Sequence, residues 1–339
     1  MKRKIALAIA GLLVTTGFAH ADDYSWKPER PITIIVPWSA GGSTDQVTRI
    51  VAEEIRKALG ATVVVENQPG ASGSIGTKNA LEAAKDGYTW TAGAAQDLGT
   101  YKVLGMLDTT IAKDWHLYLD VANVSVIGAN PDQPWQNFGD LLAAMNKDPG
   151  KVTVATAGMT SAGHNAIESI VALTGVTYKH VTYDGGNPAV IATVSGETQL
   201  TTQLAVEQAE MIRAGRIKPL AVLNDQPLEI KGFGTPIPPI TNWVSNFQAA
   251  PNYFGIFVPV GVPQNVIDTM DKVWKEKIIN SEALKAYAAE RGAVFAPYYG
   301  DDAQKRVAPA VSMNAYLMYD GGKAKIDPST IGIDRMKAK

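Results

Sequence analysis

The chain has 339 residues, 46% of them hydrophobic and 19% charged, with 31 glycines, 19 prolines and a formal net charge of −2. That length suffices for about two domains with sizeable cores, and the composition excludes a disordered chain and, for want of any long basic block, a nucleic-acid reader. The absence of cysteine excludes disulfides, thiolate metal sites, a cysteine nucleophile and a lipid-anchored cysteine.

Lys2, Arg3 and Lys4 precede an apolar run at 5–18, and Ala19, His20 and Ala21 form a small-x-small cleavage site. This is the pattern of a secretory leader removed after Ala21. No later segment reaches the ~18 apolar residues of a membrane-spanning helix. A soluble, exported, periplasmic protein is expected, with residues 1–21 as signal peptide.

Residues 31–37 are a β-branched run between two prolines and predict a buried strand. A tight loop at 38–45 follows. Val47, Ile50, Val51, Ile55 and Leu59 then fall at helical spacing, and Gly60 ends that helix. A strand at 61–66, a Gly/Ser/Pro loop at 67–76, a short helix at 77–85 and a strand at 88–92 complete a βαβαβ alternation, which favours a parallel sheet covered by helices. The stretch 107–120 reads as irregular.

The pattern recurs with a strand at 151–156, a loop at 157–163 and a helix striped by Ile167, Ile170 and Val171 and ended by Gly175. A strand at 176–183, a Gly185-Gly186 turn, a helix at 188–195 and strands at 199–204 and 219–223 follow. Residues 121–127 and 253–259 read as crossover strands between two lobes, and a helical stretch at 266–289 returns to the first. The expected division is 22–122 with 253–339 as a discontinuous first lobe and 123–252 as the second. Two hinged lobes around a cleft form a ligand trap.

The chemistry concentrates in two strand–loop–helix units, 37–45 and 156–164. Each aims unpaired backbone N–H groups out of a helix start, where the dipole favours an anion. Ser39, Ser43, Thr44, Thr160 and Ser161 add hydroxyls, and Gly41, Gly42, Gly158 and Gly163 admit close approach of a ligand. In open α/β sheets ligands sit beyond the carboxyl ends of strands, where both loops lie. The functional reading is a two-sided anion clamp of neutral donors. The plainer reading is helix capping, with Ser43 and Gln46 as a capping box.

Other residues leave alternatives open. Asp45 either touches ligand or ties its own loop; Trp38 either walls the cleft or packs; His164 is either a structural histidine or a ligand contact. Asp184, beside Gly185-Gly186, suits a turn. Gly70, Gly73 and Gly76 lack the spacing of the dinucleotide fingerprint and suit a structural loop. Asn123-Val-Ser125 is a formal glycosylation match of little weight. No Walker A, G-x-S-x-G or histidine metal spacing is present, so neither cofactor nor metal is expected.

The stretch PERPITIIVPWSAGGSTD at 28–45 resembles the opening of the Bug/TctC family, the solute receptors of tripartite tricarboxylate transporters. Further matches are VVENQPGASGSIG at 64–76, AKDGY at 84–88, AGMTSAGH at 157–164, YDGG at 183–186, AGRIKPLAV at 214–222, YFGIFVPVGVP at 253–263 and KIDPSTIGI at 325–333. The resemblance covers nearly the whole mature chain. It implies an α/β, two-lobed periplasmic binding protein (type II-like) with a ligand cleft between the lobes, monomeric, handing a small carboxylate to a permease of one large and one small membrane subunit. It implies binding, not catalysis, through Trp38, Ser39, Ala40, Gly41, Gly42, Ser43 and Asp45 on one side and Ala157, Gly158, Thr160, Ser161 and His164 on the other. Tyr183 and Asp184 border the cleft, and Gln96 opens a segment (96–106) where the family's usual Asn-Pro-x-Leu-Tyr is replaced. The alternatives are a secreted α/β hydrolase acting on a carboxylate and a binding protein that feeds a sensor.

Overall fold

The computed structural model describes residues 24–336; the leader and its cleavage site lie outside the described residues. Chain order begins β1 (Ile32–Val36), α1 (Ser43–Leu59), β2 (Val63–Asn67), α2 (Ser74–Glu82), β3 (Thr89–Ala94), α3 (Ala95–Thr100), α4 (Ile111–Asp114) and β4 (Trp115–Asn123). The chain then enters a second sheet through β5 (Val126–Ala129), α5 (Phe138–Lys147), β6 (Thr153–Thr156), α6 (Ala162–Thr174), β7 (Lys179–Thr182), α7 (Gly186–Val194), β8 (Leu200–Thr201), α8 (Ala205–Arg213) and β9 (Lys218–Val222). It returns through β10 (Asn252–Pro259), α9 (Gln264–Glu276), α10 (Glu282–Arg291), β11 (Val294–Phe295) and α11 (Gly300–Asp320).

The sheets are mixed: β11-β4-β10-β3-β1-β2 and β7-β6-β8-β5-β9. Strands β2 and β3 run parallel to β1, whereas β10 runs antiparallel to β3 and β4. In the second sheet β6 is parallel to β7 and β8, and β5 is antiparallel to β8 and β9. The first sheet thus draws strands from both ends of the chain. The two crossings lie side by side, since Asn123 at the end of β4 is the register partner of Asn252 at the start of β10.

Local chemistry explains the elements. In β1, Ile32, Ile34 and Val36 enter one core and Ile35 the other, so the run is apolar except for Thr33, as suits a strand covered on both faces. Helix α1 buries Val47, Val51 and Ile55 and stops at Gly60, whose φ of +64° lets its N–H reach Arg56 O. Strand β4 departs from the irregular segment expected at 107–120. It is buried on both faces, with Leu117 and Leu119 in one cluster and Tyr118 and Val121 in another, so alternation with polar residues is absent and the strand period is hidden. The helical stretch expected at 266–289 is two helices, because Ser281 caps α10 by accepting from Leu284 N. Helix α11 lies across α3, where Gly99 faces Val311 with no room for a Cβ, and Lys323 just beyond it pairs with Glu168 of α6 at 2.6 Å. No helix among the described residues is long and apolar enough to cross a membrane.

Candidate functional site

The loop between β1 and α1 is held by its own side chains. Gly41 turns at φ +81°, and its N–H donates to Asp45 Oδ2 at 2.9 Å. Asp45 Oδ1 accepts from Asn67 Nδ2 at 3.0 Å and pairs with Arg49 at 2.8 Å. Burial alone would raise the Asp45 pKa, but Arg49, the Gly41 N–H and Asn67 together hold it below the ordinary carboxylate value. Asp45 is therefore committed to tying the loop. Gly42, in extended conformation, occupies the N-cap of α1, and Gln46 Nε2 donates to Gly41 O at 2.6 Å. The capping box expected of Ser43 and Gln46 is not formed: Ser43 lies one residue inside the helix and its hydroxyl is used elsewhere.

That hydroxyl and the Ser43 N–H both donate to Glu207 Oε1, at 2.8 and 3.1 Å. Glu207 lies in the first turn of α8, and its Oε2 accepts from Leu204 N at 3.3 Å. Gln203, oriented as its neighbours require, donates to the same Oε2 at 3.1 Å and accepts from Ala157 N at 2.6 Å. A carboxylate thus occupies the start of α1. Gly186 is essential to this seating, because a Cβ there would overlap the Glu207 carboxylate. Burial pushes the Glu207 pKa up, against the pull of its donors from Ser43 and Leu204. Burial, and then the Glu207 charge, hold the Asp97 carboxyl well above the carboxylate range. The pocket shared by Trp38, Ser43, Asp97, Ser161, Gln203 and Glu207 has a volume of about 20 Å³, room for about one water.

The second loop faces a different partner. Gly158, at φ +113°, leaves space for the Ser72 side chain; Met159 N donates to Ser72 Oγ at 3.1 Å and Thr160 Oγ1 to Ser72 O at 2.9 Å. Ser72 and Ala71 hold φ of 54° and 46°, a left-handed conformation that non-glycine residues adopt rarely. Ser161 caps α6, accepting from His164 N at 3.2 Å.

The remaining expected residues divide plainly. Trp38, Gly42, Ser43, Ala157 and Ser161 meet around the small pocket. Ser39 spans the lobes, its N–H and Oγ donating to Asp184 O at 3.1 and 2.7 Å, so Asp184 contributes its carbonyl here. Ala40 and Gly41 are exposed. Tyr183 turns to Glu197 Oε1 at 2.8 Å. His164 departs from the expected contact: its ring stacks on His180 at 4.5 Å, its Nδ1 lies 3.3 Å from Tyr178 OH, and it lines neither interlobe cavity. Burial first, then His180, push its pKa down to about 3, so the ring is neutral. Sequence reasoning missed Glu207, Gln203, Asp97 and Ser72; the only signal was the small-residue run around Ser72 and Gly186.

A second cavity, of about 330 Å³, adjoins the first and shares Ala162 and Leu204 with it. Gln96 lies in its wall, with the strand crossings and the facing sides of α6 and α11. Among the described residues no group of three His, Asp or Glu side chains is placed to hold a metal ion.

Two α/β lobes closing on a cleft define the class as a periplasmic binding protein. The periplasmic binding protein BugD superposes with a TM-score of 0.79 at 26% identity, over 88% of this chain and 99% of that one, and a structure described as a periplasmic transporter with 0.78 at 26%, over 87% and 98%. Residues 47–309 match the tripartite tricarboxylate transporter family receptor, TctC, and the chain belongs to that family. Among relatives, Protein BugT of Bordetella pertussis is 27% identical over 296 residues, 84% of this chain and 87% of that one. A UPF0065 protein from the tcbD–tcbE intergenic region of a Pseudomonas species is 29% identical over 299 residues, 85% and 82%.

Proposed function

We propose that this solute-binding receptor captures a small organic acid between its lobes in the periplasm and presents it to the membrane permease of a tripartite transporter. The lobes are 22–122 with 253–339 and 123–252, hinged at the paired Asn123 and Asn252, and residues 1–21 are the cleaved leader. The observation that carries the reading is the seat at the start of α1, where Ser43 N–H and Oγ already grip a carboxylate. An incoming acid displaces Glu207 from this seat and is enclosed by Ala157, Ser161 and Ala162 opposite. Neutral donors at a helix start suit this exchange, since they attract a carboxylate without a fixed cation that would hold it too long. Binding without turnover is supported by His164: the one histidine of the two loops is turned inward onto His180 and lines neither cavity.

A thermal-shift screen of mono-, di- and tricarboxylates tests the reading, because a solute that binds the folded state alone raises the melting temperature by mass action. Gly42→Asp supplies the control. A Cβ there meets its nearest neighbours, Ser39 O and Glu207 Oε1, at 3.5 and 3.7 Å, so the protein folds, but a second acid then stands in the seat. Loss of acid binding with an unchanged melting curve is expected; full affinity in this variant would remove the clamp from the mechanism.

A further inference from the structure

The small pocket at the start of α1 holds two acids and nothing to neutralise either. Among the described residues, the ionisable side chains of its wall are Asp97 of α3 and Glu207 of α8, and the wall contains no Lys, Arg or His. The larger cavity beside it, a chamber walled in part by Asn123, Asn165, Asn252 and Asn314, has no charged side chain either. Two carboxyl groups in one enclosed space do not both ionise; one keeps a proton. The donors decide which. Ser43 N–H, Ser43 Oγ, Leu204 N–H and Gln203 all serve Glu207. Asp97 is 5% exposed, and its Oδ1 has no hydrogen-bond partner. The charge therefore rests on Glu207 and the proton on Asp97. Burial pushes both pKa values up; the donors pull Glu207 back, and the Glu207 charge pushes Asp97 further.

The other ionisable groups around α3 are accounted for. Tyr101, one turn on, is kept neutral by burial first and then by Asp97. Asp45 is bound by Gly41, Asn67 and Arg49. Of the elements packed on α3, β3 has no ionisable side chain and β10 has Tyr253 alone. Asp114 of α4 accepts from Thr110 N–H, and Lys113 is exposed. The charged residues of α11 are exposed as well.

We propose that Asp97 belongs to the solute site as a neutral acid: it keeps its proton beside the seat, so that the seat holds a single negative charge, and a solute carboxylate binds only while that proton is in place. The proposal rests on the reading that the solute replaces Glu207 at Ser43. It requires no contact between the solute and Asp97 Oδ1. The coupling is the repulsion of two like charges across a pocket without a counter-ion. In the free protein, loss of the Asp97 proton is relieved when Glu207 takes a proton or leaves Ser43. In the complex it is relieved only by release of the solute. The proton is thus held more tightly in the complex than in the free protein. Affinity then falls with rising pH, approaching about tenfold per unit once Asp97 of the free protein is ionised.

The test is calorimetry on the mature protein with benzoate and succinate from pH 7 to pH 9, where the charges of both solutes are constant. The parent's affinity is expected to fall at least about tenfold across that range. Its binding heat is expected to depend on the ionisation enthalpy of the buffer, because a proton is taken up with the solute. Asp97→Asn has no proton to lose there. Whatever its affinity at pH 7, it is expected to keep that affinity to within about twofold at pH 9, with no buffer dependence. A merely structural Asp97 would shift the variant's affinity by one factor at every pH. Parallel pH profiles in parent and variant, or a parent affinity constant to pH 9, overturn the proposal. If the profiles are parallel while Gly42→Asp abolishes binding, the receptor reading stands and this proposal alone falls. If no carboxylate of the wider screen binds at any pH, both fall. The buffer comparison uses the parent alone, so a variant that does not fold leaves the decision intact.

Discussion

Between the starts of α1 and α6 the protein has placed acids; behind Ala162 and Leu204 it has placed amides. The first space is small and polar, with Glu207 held by Ser43, Leu204 and Gln203. The second is some 330 Å³, without charge and unsatisfied at six buried polar atoms. The contrast separates two tasks that a solute receptor must perform. Seating a carboxylate at a helix start is generic chemistry, and the protein performs it on its own side chain. Choosing among acids requires a shaped volume with a fixed pattern of donors and acceptors.

The largest test of this contrast is Glu207→Ala. Removing the internal carboxylate frees the Ser43 N–H and hydroxyl for a solute, and acid affinity measured by calorimetry is expected to rise at least about tenfold, since binding no longer includes displacement. The unliganded protein loses about 1–3 kcal/mol in urea unfolding as hydrogen bonds to a charged group are lost. An unchanged or weaker affinity would mean that solute does not enter this seat, and the division of labour between the two spaces would fail.

A smaller effect comes from pH and distinguishes the spaces by charge. Asp97 is held well above the carboxylate range, by burial and then by Glu207, and its Oδ1 has no partner. A carboxyl whose folded pKa is raised binds its proton more tightly in the folded state than in the unfolded chain. The penalty is absent below the unfolded value near 4 and grows as pH rises above it. Asp97→Asn is therefore expected to match the parent's stability near pH 4 and to exceed it by about 1 kcal/mol or more at pH 8. Asp120 of β4, pushed to about 7 by burial and partly restrained by Val121 N–H, gives the same sign with the change complete above pH 7. Substituting Asn252 or Asn314, in the uncharged chamber, leaves the parent's pH profile unchanged in shape. His164, lowered to about 3 beside His180, Tyr178, Glu168 and Lys323, works oppositely: its neutral burial is opposed by protonation of the unfolded chain, and stability falls as pH drops below about 6.5.

The two spaces also differ in how far they were legible in the amino-acid order. The loops after β1 and β6 announce themselves, because a β-branched run followed by small and hydroxylated residues and then a helical stripe has few other folded solutions. Glu207 carries no such mark. It belongs to an ordinary helical stretch, and its role exists only because folding brings it to Ser43 across 164 positions. Asn123, part of a formal glycosylation match, is 2% exposed in the chamber wall. Asn165, Asn252 and Asn314 are scattered through segments with no local pattern. β4 escaped notice because a strand buried on both faces loses its alternation, while helix α1, half exposed, shows its period clearly. Local periodicity reveals helix starts; a cavity assembled from four distant elements leaves no local trace.

The smallest expected effect concerns the contact that closes the second loop onto the first lobe. Ser72 Oγ accepts from Met159 N at 3.1 Å, and Ser72 O accepts from Thr160 Oγ1 at 2.9 Å and Tyr101 OH at 3.1 Å. Ser72→Ala removes the first of these bonds and keeps the backbone pair. It is expected to lower stability by about 0.5–1.5 kcal/mol, which for two α/β lobes is a melting shift of only a few degrees. The informative readout is hydrogen exchange at the Met159 amide. If Ser72 fastens the loop across the cleft, that amide exchanges faster in the variant while amides inside β6 do not. Acid affinity then falls by less than about tenfold, because Ser43 and its helix start are untouched. Unchanged protection at Met159 would show that the loop is positioned by Gly158 and Ser161 within its own lobe, and that closure of the cleft does not depend on the Ser72 hydroxyl.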